Sequence, residues 1–191
     1  MRMRIYWSIA FVALIVMLSA AAPARADNYI VDNAHSGVVF RVQHMGISWT
    51  HGRFNDVAGT FTIDAGDPAK SSFTMTMKTQ SIDTGNKARD QHLTGPDFFN
   101  AKQYPTIAFK STSVKPGKDG YEVTGDMTMH GVTKPITFAL TGGKTAEMQG
   151  MKRIGFSTDF AIKRSDFGIS KFLEGVGDEV FISVSFEGTK K

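Results

Sequence analysis

The chain contains no cysteine. That excludes a disulfide scaffold, a Cys-ligated zinc site, an iron–sulfur cluster and a thiol nucleophile. Proline is scarce, at 6 of 191 residues, and only 2 Trp and 4 Tyr stand against 15 Phe. Buried aromatic surface is therefore mostly without a polar handle. Neither sign of charge dominates, with 22 Lys+Arg against 18 Asp+Glu. No Gly-rich loop leads from a strand into a helix, which argues against a nucleotide site. A G-x-S-x-G nucleophile elbow is also missing. What is present is 41% hydrophobic and 21% charged residues, enough for a core, and a length that suits one domain with an extension.

The only long apolar run is at the N-terminus. Arg2 and Arg4 precede Ile5–Leu18, and Ala24-Arg25-Ala26 follows. A charged n-region, an apolar h-region and an A-x-A site make a secretory signal peptide, too short for a comfortable membrane span. The expected division is residues 1–26 as signal peptide, cleaved after Ala26, and 27–191 as the mature domain. Losing Arg2, Arg4 and Arg25 from the 22 basic residues leaves 19 against 18 acidic ones. No basic patch for nucleic acid survives. The pattern predicts an exported, periplasmic protein.

Period-two alternation recurs in the mature chain. It runs through Val38–Gln43, Phe73–Lys78, Tyr121–His130, Ile136–Thr141, Ile154–Ile162 and Val180–Glu187, with shorter strands at Phe61–Ile63 and Ile107–Phe109. Turn residues cluster at Asp64–Pro68, Lys115–Gly120 and Gly142–Lys144. Eight strands, each with one apolar and one polar face, predict an antiparallel sandwich or barrel. Alternation stops between Ser81 and Pro105. There Asn86 caps a short helix through Leu93, and Gly95-Pro96 ends it. Phe98 and Phe99 follow, in a connection long enough to serve as a lid or plug.

An eight-stranded barrel is filled by its own side chains or holds one small ligand. Met75, Met77, Met127 and Met129 point inward, and methionine adapts to a flexible apolar guest. Composition alone still favours an ordinary packed core. The histidines (His35, His44, His51, His92, His130) have no metal-site spacing. Arg89-Asp90 and Arg164-Ser165-Asp166 are read as surface ion pairs or as a polar collar for a ligand head group.

These residues also form a familiar set. Tyr29-x-x-Asp32-x-x-His35-Ser36, Phe40-x-Val42-x-His44-Met45-Gly46 and Gly52-x-Phe54 open it. Ser81-Ile82-x-Thr84, Arg89-Asp90-x-His92-Leu93, Asp97-Phe98-Phe99 and Tyr104-Pro105-x-Ile107-x-Phe109 continue it. Gly131–Pro135, Arg164-x-Asp166-Phe167-Gly168 and Val176–Val180 close it. The whole mature chain resembles the YceI-like family of polyisoprenoid-binding periplasmic proteins. The resemblance implies an all-β fold, an eight-stranded antiparallel lipocalin-like barrel with a short helix at one end. It also implies an apolar tunnel for a polyprenyl phosphate or the tail of an isoprenoid quinone, with no catalytic role and no cofactor beyond that bound lipid.

On this reading the tunnel residues are Phe40, Val42, Phe73, Met75, Phe109, Met127, Met129, Phe138, Phe156 and Phe160, with Phe98 and Phe99 near one end. Arg89, His92 and Arg164 are candidate donors to the head group. A membrane redox protein and a second copy of the chain are partners that the resemblance leaves open. Two other readings stand beside the carrier. One is an accessory enzyme acting on a lipid or quinone through His35, His44 and Asp90. The other is a solid barrel with a stress or adhesion role.

Overall fold

The structure, a computed structural model, describes residues 26–191. Except for Ala26, the expected leader lies outside the described residues.

Among the described residues the alternating segments form ten strands: β1 (Asp27–His44), β2 (Ser48–Phe54), β3 (Val57–Ile63), β4 (Ser72–Lys78), β5 (Ile82–Asp83), β6 (Thr106–Gly117), β7 (Gly120–Met129), β8 (Val132–Met148), β9 (Met151–Lys163) and β10 (Val176–Lys190). One α-helix, α1 (Lys87–Thr94), lies between β5 and β6. The strands make eight staves. β2 and β3 both pair with β1, so they are one stave broken at Asn55-Asp56. β4 pairs with β3 and β5 with β2, so they are a second stave, broken by the 3-10 turn Thr79–Ser81. The remaining neighbours follow chain order, and β1 pairs with β10 from Tyr29↔Lys190 to His44↔Val176. The result is a closed, antiparallel, up-and-down barrel, which leaves few open sheet edges.

Turn chemistry sets the hairpins. His130-Gly131 and Gln149-Gly150 each put two residues at positive φ, the geometry of a tight hairpin turn. The second of these corrects an expectation. Gly142-Gly143-Lys144 is not a turn but a bulge inside β8, with a register shift between Gly142 and Lys144. Glycine at positive φ serves a bulge as well as a turn. The strand therefore runs on to Met148 before reversing.

The helix matches its sequence signals. The Asn86 side chain accepts from the Arg89 N–H, and Gly95 ends the helix. Beyond it, Gly95 O accepts from Phe98 N–H and Asn100 N–H, which folds residues 96–99 into a hydrogen-bonded turn. That turn carries Phe98 and Phe99 over one end of the barrel.

The interior has two parts. At the end where β1 starts, Tyr29, Phe61, Phe73, Phe156 and Phe186 pack into a floor. Tyr29 stacks on Phe61 with ring centres 5.0 Å apart, and Phe186 meets Phe61 edge to face at 5.4 Å. The other cluster, around Val38, Phe54, Ile107, Met127, Met129, Ile162 and Phe167, is looser. Phe40, Met75, Met77, Phe109, Phe138, Phe160, Ile182 and Val184 all face inward, yet each keeps accessible surface. Inward apolar side chains that stay accessible line a space instead of filling one.

Candidate functional site

That space is a channel of two joined chambers. The inner one, about 80 Å³, lies above the floor and is lined by Phe73, Met75, Phe109, Ile136, Phe138 and Thr158. The outer one, about 120 Å³, is lined by Phe40, Val42, Phe98, Phe99, Met129 and Ile162. Val38, Met77, Ile107, Met127, Phe160 and Val184 belong to both and form a waist. Both chambers present only apolar surface. The outer chamber opens into a wider mouth of about 670 Å³, where Phe40, Val42, Leu93, Phe98 and Val176 are shared walls.

The mouth exists because of a local failure of pairing. β5 reaches only Arg53 and Phe54 of β2. Ser48–Gly52 therefore pair on one side alone among the described residues. α1 and the segment leading into it stand across the gap, bringing Arg89, His92 and Leu93 of the helix and Thr84 before it opposite Ser48 and Thr50.

Eleven of the twelve expected tunnel residues line these chambers. Phe40, Val42, Met129, Phe98 and Phe99 are in the outer one, Phe73, Met75, Phe109 and Phe138 in the inner one, and Met127 and Phe160 at the waist. Phe156 is placed differently, packed in the floor among Phe61, Phe73, Tyr121 and Phe186.

The expected head-group residues separate. Arg89 and His92 stand at the mouth. Arg89 does not pair with Asp90. Its Nε donates to Thr84 Oγ1 at 2.7 Å and its Nη2 to Thr84 O at 2.8 Å. Asp90 accepts from the N–H and hydroxyl of the same threonine at 2.8 and 2.6 Å. His92 lies 3.2 Å from Asp97. Arg164 is buried in the wall of the outer chamber. Its guanidinium donates to four backbone carbonyls: Gly177 at 2.9 Å, Ile169 at 3.0 Å, Lys171 at 2.8 Å and Val176 at 2.8 Å. Burial lowers its pKa, and the nearby Asp178 carboxylate partly offsets that. Arg164 thus braces the loop from Gly168 to Gly175, and most of its donors are occupied. Asp178 bonds Ser165 instead.

The structure does not bring all three groups named for an enzyme together. His44 is at the mouth, and Asp90 is bound to Thr84 of the same mouth. His35 is nine residues back along β1, roughly 25–30 Å of extended strand, and contacts Asp32 at 2.8 Å.

Several lining residues stand outside the expected tunnel set. Met77 is read as inward from the sequence, and it, Ile182 and Val184 belong to alternating strands, so period two is a sufficient signal for them. Thr50 and Phe54 lie on β2, whose alternation is interrupted by inward-facing Gly52. A Cβ at Gly52 would overlap the Phe40 ring. Thr84, the hub of the mouth, is marked only by its place in the Ser81-Ile82-x-Thr84 motif, which does not convey its role.

The comparisons with known proteins agree with this geometry. The model of the YceI-like domain matches residues 29–188. Protein YceI of Escherichia coli is 42% identical over 92% of this chain and 93% of its own length. The crystal structure of Burkholderia cenocepacia BcnA superimposes with a TM-score of 0.73 at 30% identity, covering 82% of this chain and 98% of BcnA. A domain from Saccharophagus degradans, described as polyisoprenoid-binding and implicated in plant cell wall breakdown, shares the fold with a TM-score of 0.68 at 16% identity, over 85% of this chain and 98% of that one. With a family model spanning the closed barrel and relatives covering nearly all of it, the chain belongs to the YceI-like domain family.

Proposed function

We propose that this protein binds a long-chain isoprenoid lipid, a polyprenyl phosphate or an isoprenoid quinone, and carries it through the periplasm. The observation that carries the reading is the continuous channel, with two chambers lined only by apolar surface and open at one end. The Saccharophagus domain of the same fold, described as polyisoprenoid-binding, supports it. The signal-peptide pattern of residues 1–26 supports the location.

The energetics favour a long tail. Each buried methylene contributes about 0.8 kcal/mol, so roughly five to twenty such groups offset the ~4–15 kcal/mol cost of association. A floor of packed aromatics stops the tail at one end, so the head group stays at the mouth beside Arg89 and His92. Methionines at the waist let the bore adjust to a branched chain. The reading requires neither turnover, nor a redox partner, nor a second copy of the chain.

Native mass spectrometry of protein purified from the periplasm, with organic extraction, tests the reading. A stoichiometric isoprenoid is the expected result and names tail and head together. An apo mass that added polyprenyl phosphate and quinone leave unchanged would overturn it. Protein found only in the cytoplasmic fraction would overturn the location.

A further inference from the structure

The mouth is ringed by exposed apolar side chains, of which only Phe172 has aromatic neighbours, Phe98 and His92, with ring centres 6.2 and 6.1 Å away. Ile47 is 83% exposed and Met45 64%, both in the β1–β2 loop. Phe172 is 51% and Leu173 42% exposed, both in the loop before β10. A backbone hydrogen bond of 2.7 Å from Met45 N–H to Gly175 O ties the two loops together. Met45 and Phe172 also sit at φ +52° and +56°. Bulky residues rarely adopt that region.

Behind this tip the β1–β2 hairpin has a banded outer face. Register places Gln43 opposite Trp49, then Arg41 opposite His51, then Val39 opposite Arg53, moving away from the tip. The Arg41 guanidinium lies 4.7 Å from the centre of the Trp49 ring and 5.1 Å from Phe181. Residues 33–54 hold Arg41, Arg53, His35, His44 and His51 and not one Asp or Glu. Acidic residues near the rim include Asp97, which faces His92 and Lys171 at 3.2 and 3.8 Å, Asp90, which is held by Thr84, and Glu174. Farther from the tip Asp83 stands opposite Arg53, and Asp159 shares the outer groove of Arg41 and Arg53. Apolar tip, interfacial tryptophan and arginines set back from it are the order of layers that a bilayer surface presents in reverse.

We infer that the mouth end docks on an anionic bilayer surface, with Met45, Ile47, Phe172 and Leu173 entering the headgroup region and Arg41 and Arg53 meeting lipid phosphates. This rests on the carrier reading and deepens it. A lipid drawn from the leaflet then enters the channel between β2 and α1 without crossing water.

Co-sedimentation of the purified protein with vesicles tests the docking. Binding is expected to vesicles containing phosphatidylglycerol, to weaken with added salt, and to be much weaker with phosphatidylcholine alone. Ile47→Asp with Leu173→Asp should cut partition at least about tenfold, from the loss of two buried apolar side chains. Neither side chain lines the channel, so lipid supplied in detergent micelles should still load this variant. Met148→Asp with Met151→Asp, on the exposed β8–β9 hairpin, should leave sedimentation unchanged.

Three results would overturn the inference: wild-type protein that stays in the supernatant with both vesicle types, equal loss in the two variants, or a concentration-dependent dimer abolished by Ile47→Asp. The last would assign the patch to a second copy of the chain. Protein that carries an isoprenoid but does not sediment defeats the docking alone. Protein that sediments but never holds lipid defeats the carrier reading.

Discussion

Gly188 faces inward from β10, where a Cβ would overlap the Phe61 ring and approach Tyr29 Cβ at 3.0 Å. The floor has no slack to receive it. Gly188→Ala is therefore expected to lower stability by about 1–3 kcal/mol through overpacking, more than the few tenths gained from a stiffer unfolded chain. A lowered urea midpoint at unchanged slope checks this. Arg164 gives a second prediction. Lysine keeps the charge but cannot reach four carbonyls with one ammonium group. Arg164→Lys should cost about 2–4 kcal/mol, since acceptors to a charged donor are left unpaired. If the melting temperature were unchanged while only head-group binding fell, Arg164 would be a ligand contact and not a brace. Sequence conveyed that Arg164 matters, because it stands in a motif. Its role was hidden because backbone carbonyls from residues 169–177 leave no trace in side-chain identity.

Single strands were legible to the extent that their own alternation was intact. β10 alternates without a break from Val180 to Phe186, and β7 and β9 keep apolar residues on both sides of inward Gly125 and Thr158, so the faces of all three are legible. β2 is not legible because its inward positions are Thr50, Gly52 and Phe54, with only one apolar side chain among them, and the reason for the glycine is Phe40 on the neighbouring strand. The Gly142 bulge was mistaken for a turn for the related reason that glycine marks both. Pairing between strand ends is a property no single strand displays.

At the closed end, Asp27 accepts from Lys152 at 2.9 Å and also pairs with Lys190. Asp32 meets His35 at 2.8 Å and Arg153 at 2.6 Å, and Arg153 reaches Glu187 at 3.3 Å. These contacts join the first strand to β9 and β10. The Lys190 and Lys152 ammonium groups lower the Asp27 pKa to about 2. Hydrogen bonds from His35 and Arg153 lower that of Asp32 to about 2. Both values are depressed on folding, so the stabilisation is complete above the usual carboxylate value near 3.8 and is lost as pH falls toward 2. Urea midpoints measured from pH 5 to 2 should drop across that window. Asp27→Asn with Asp32→Asn should be less stable at pH 5 and show a shallower drop. An equally steep drop in the double variant would place the acid sensitivity elsewhere.

Across the whole barrel, selectivity for tail length follows from where the channel narrows. Met77 and Met127 stand at the waist between the chambers, on strands separated by β6. A short prenyl tail is satisfied by the outer chamber alone, whereas a long one must pass the waist to bury its end above the floor. Met127→Trp narrows the waist with a rigid ring. Its affinity for a long prenyl phosphate should fall at least about tenfold, as the methylenes of the inner chamber lose their burial. Its affinity for a short one should stay near that of the wild type. Met127→Leu, which nearly conserves volume, should change neither. Titration of each variant with the two tail lengths, read by displacement of a fluorescent fatty probe, separates the cases. Unchanged long-tail affinity in Met127→Trp would mean that the tail never enters the inner chamber, and the eleven-residue lining would shrink to its outer part.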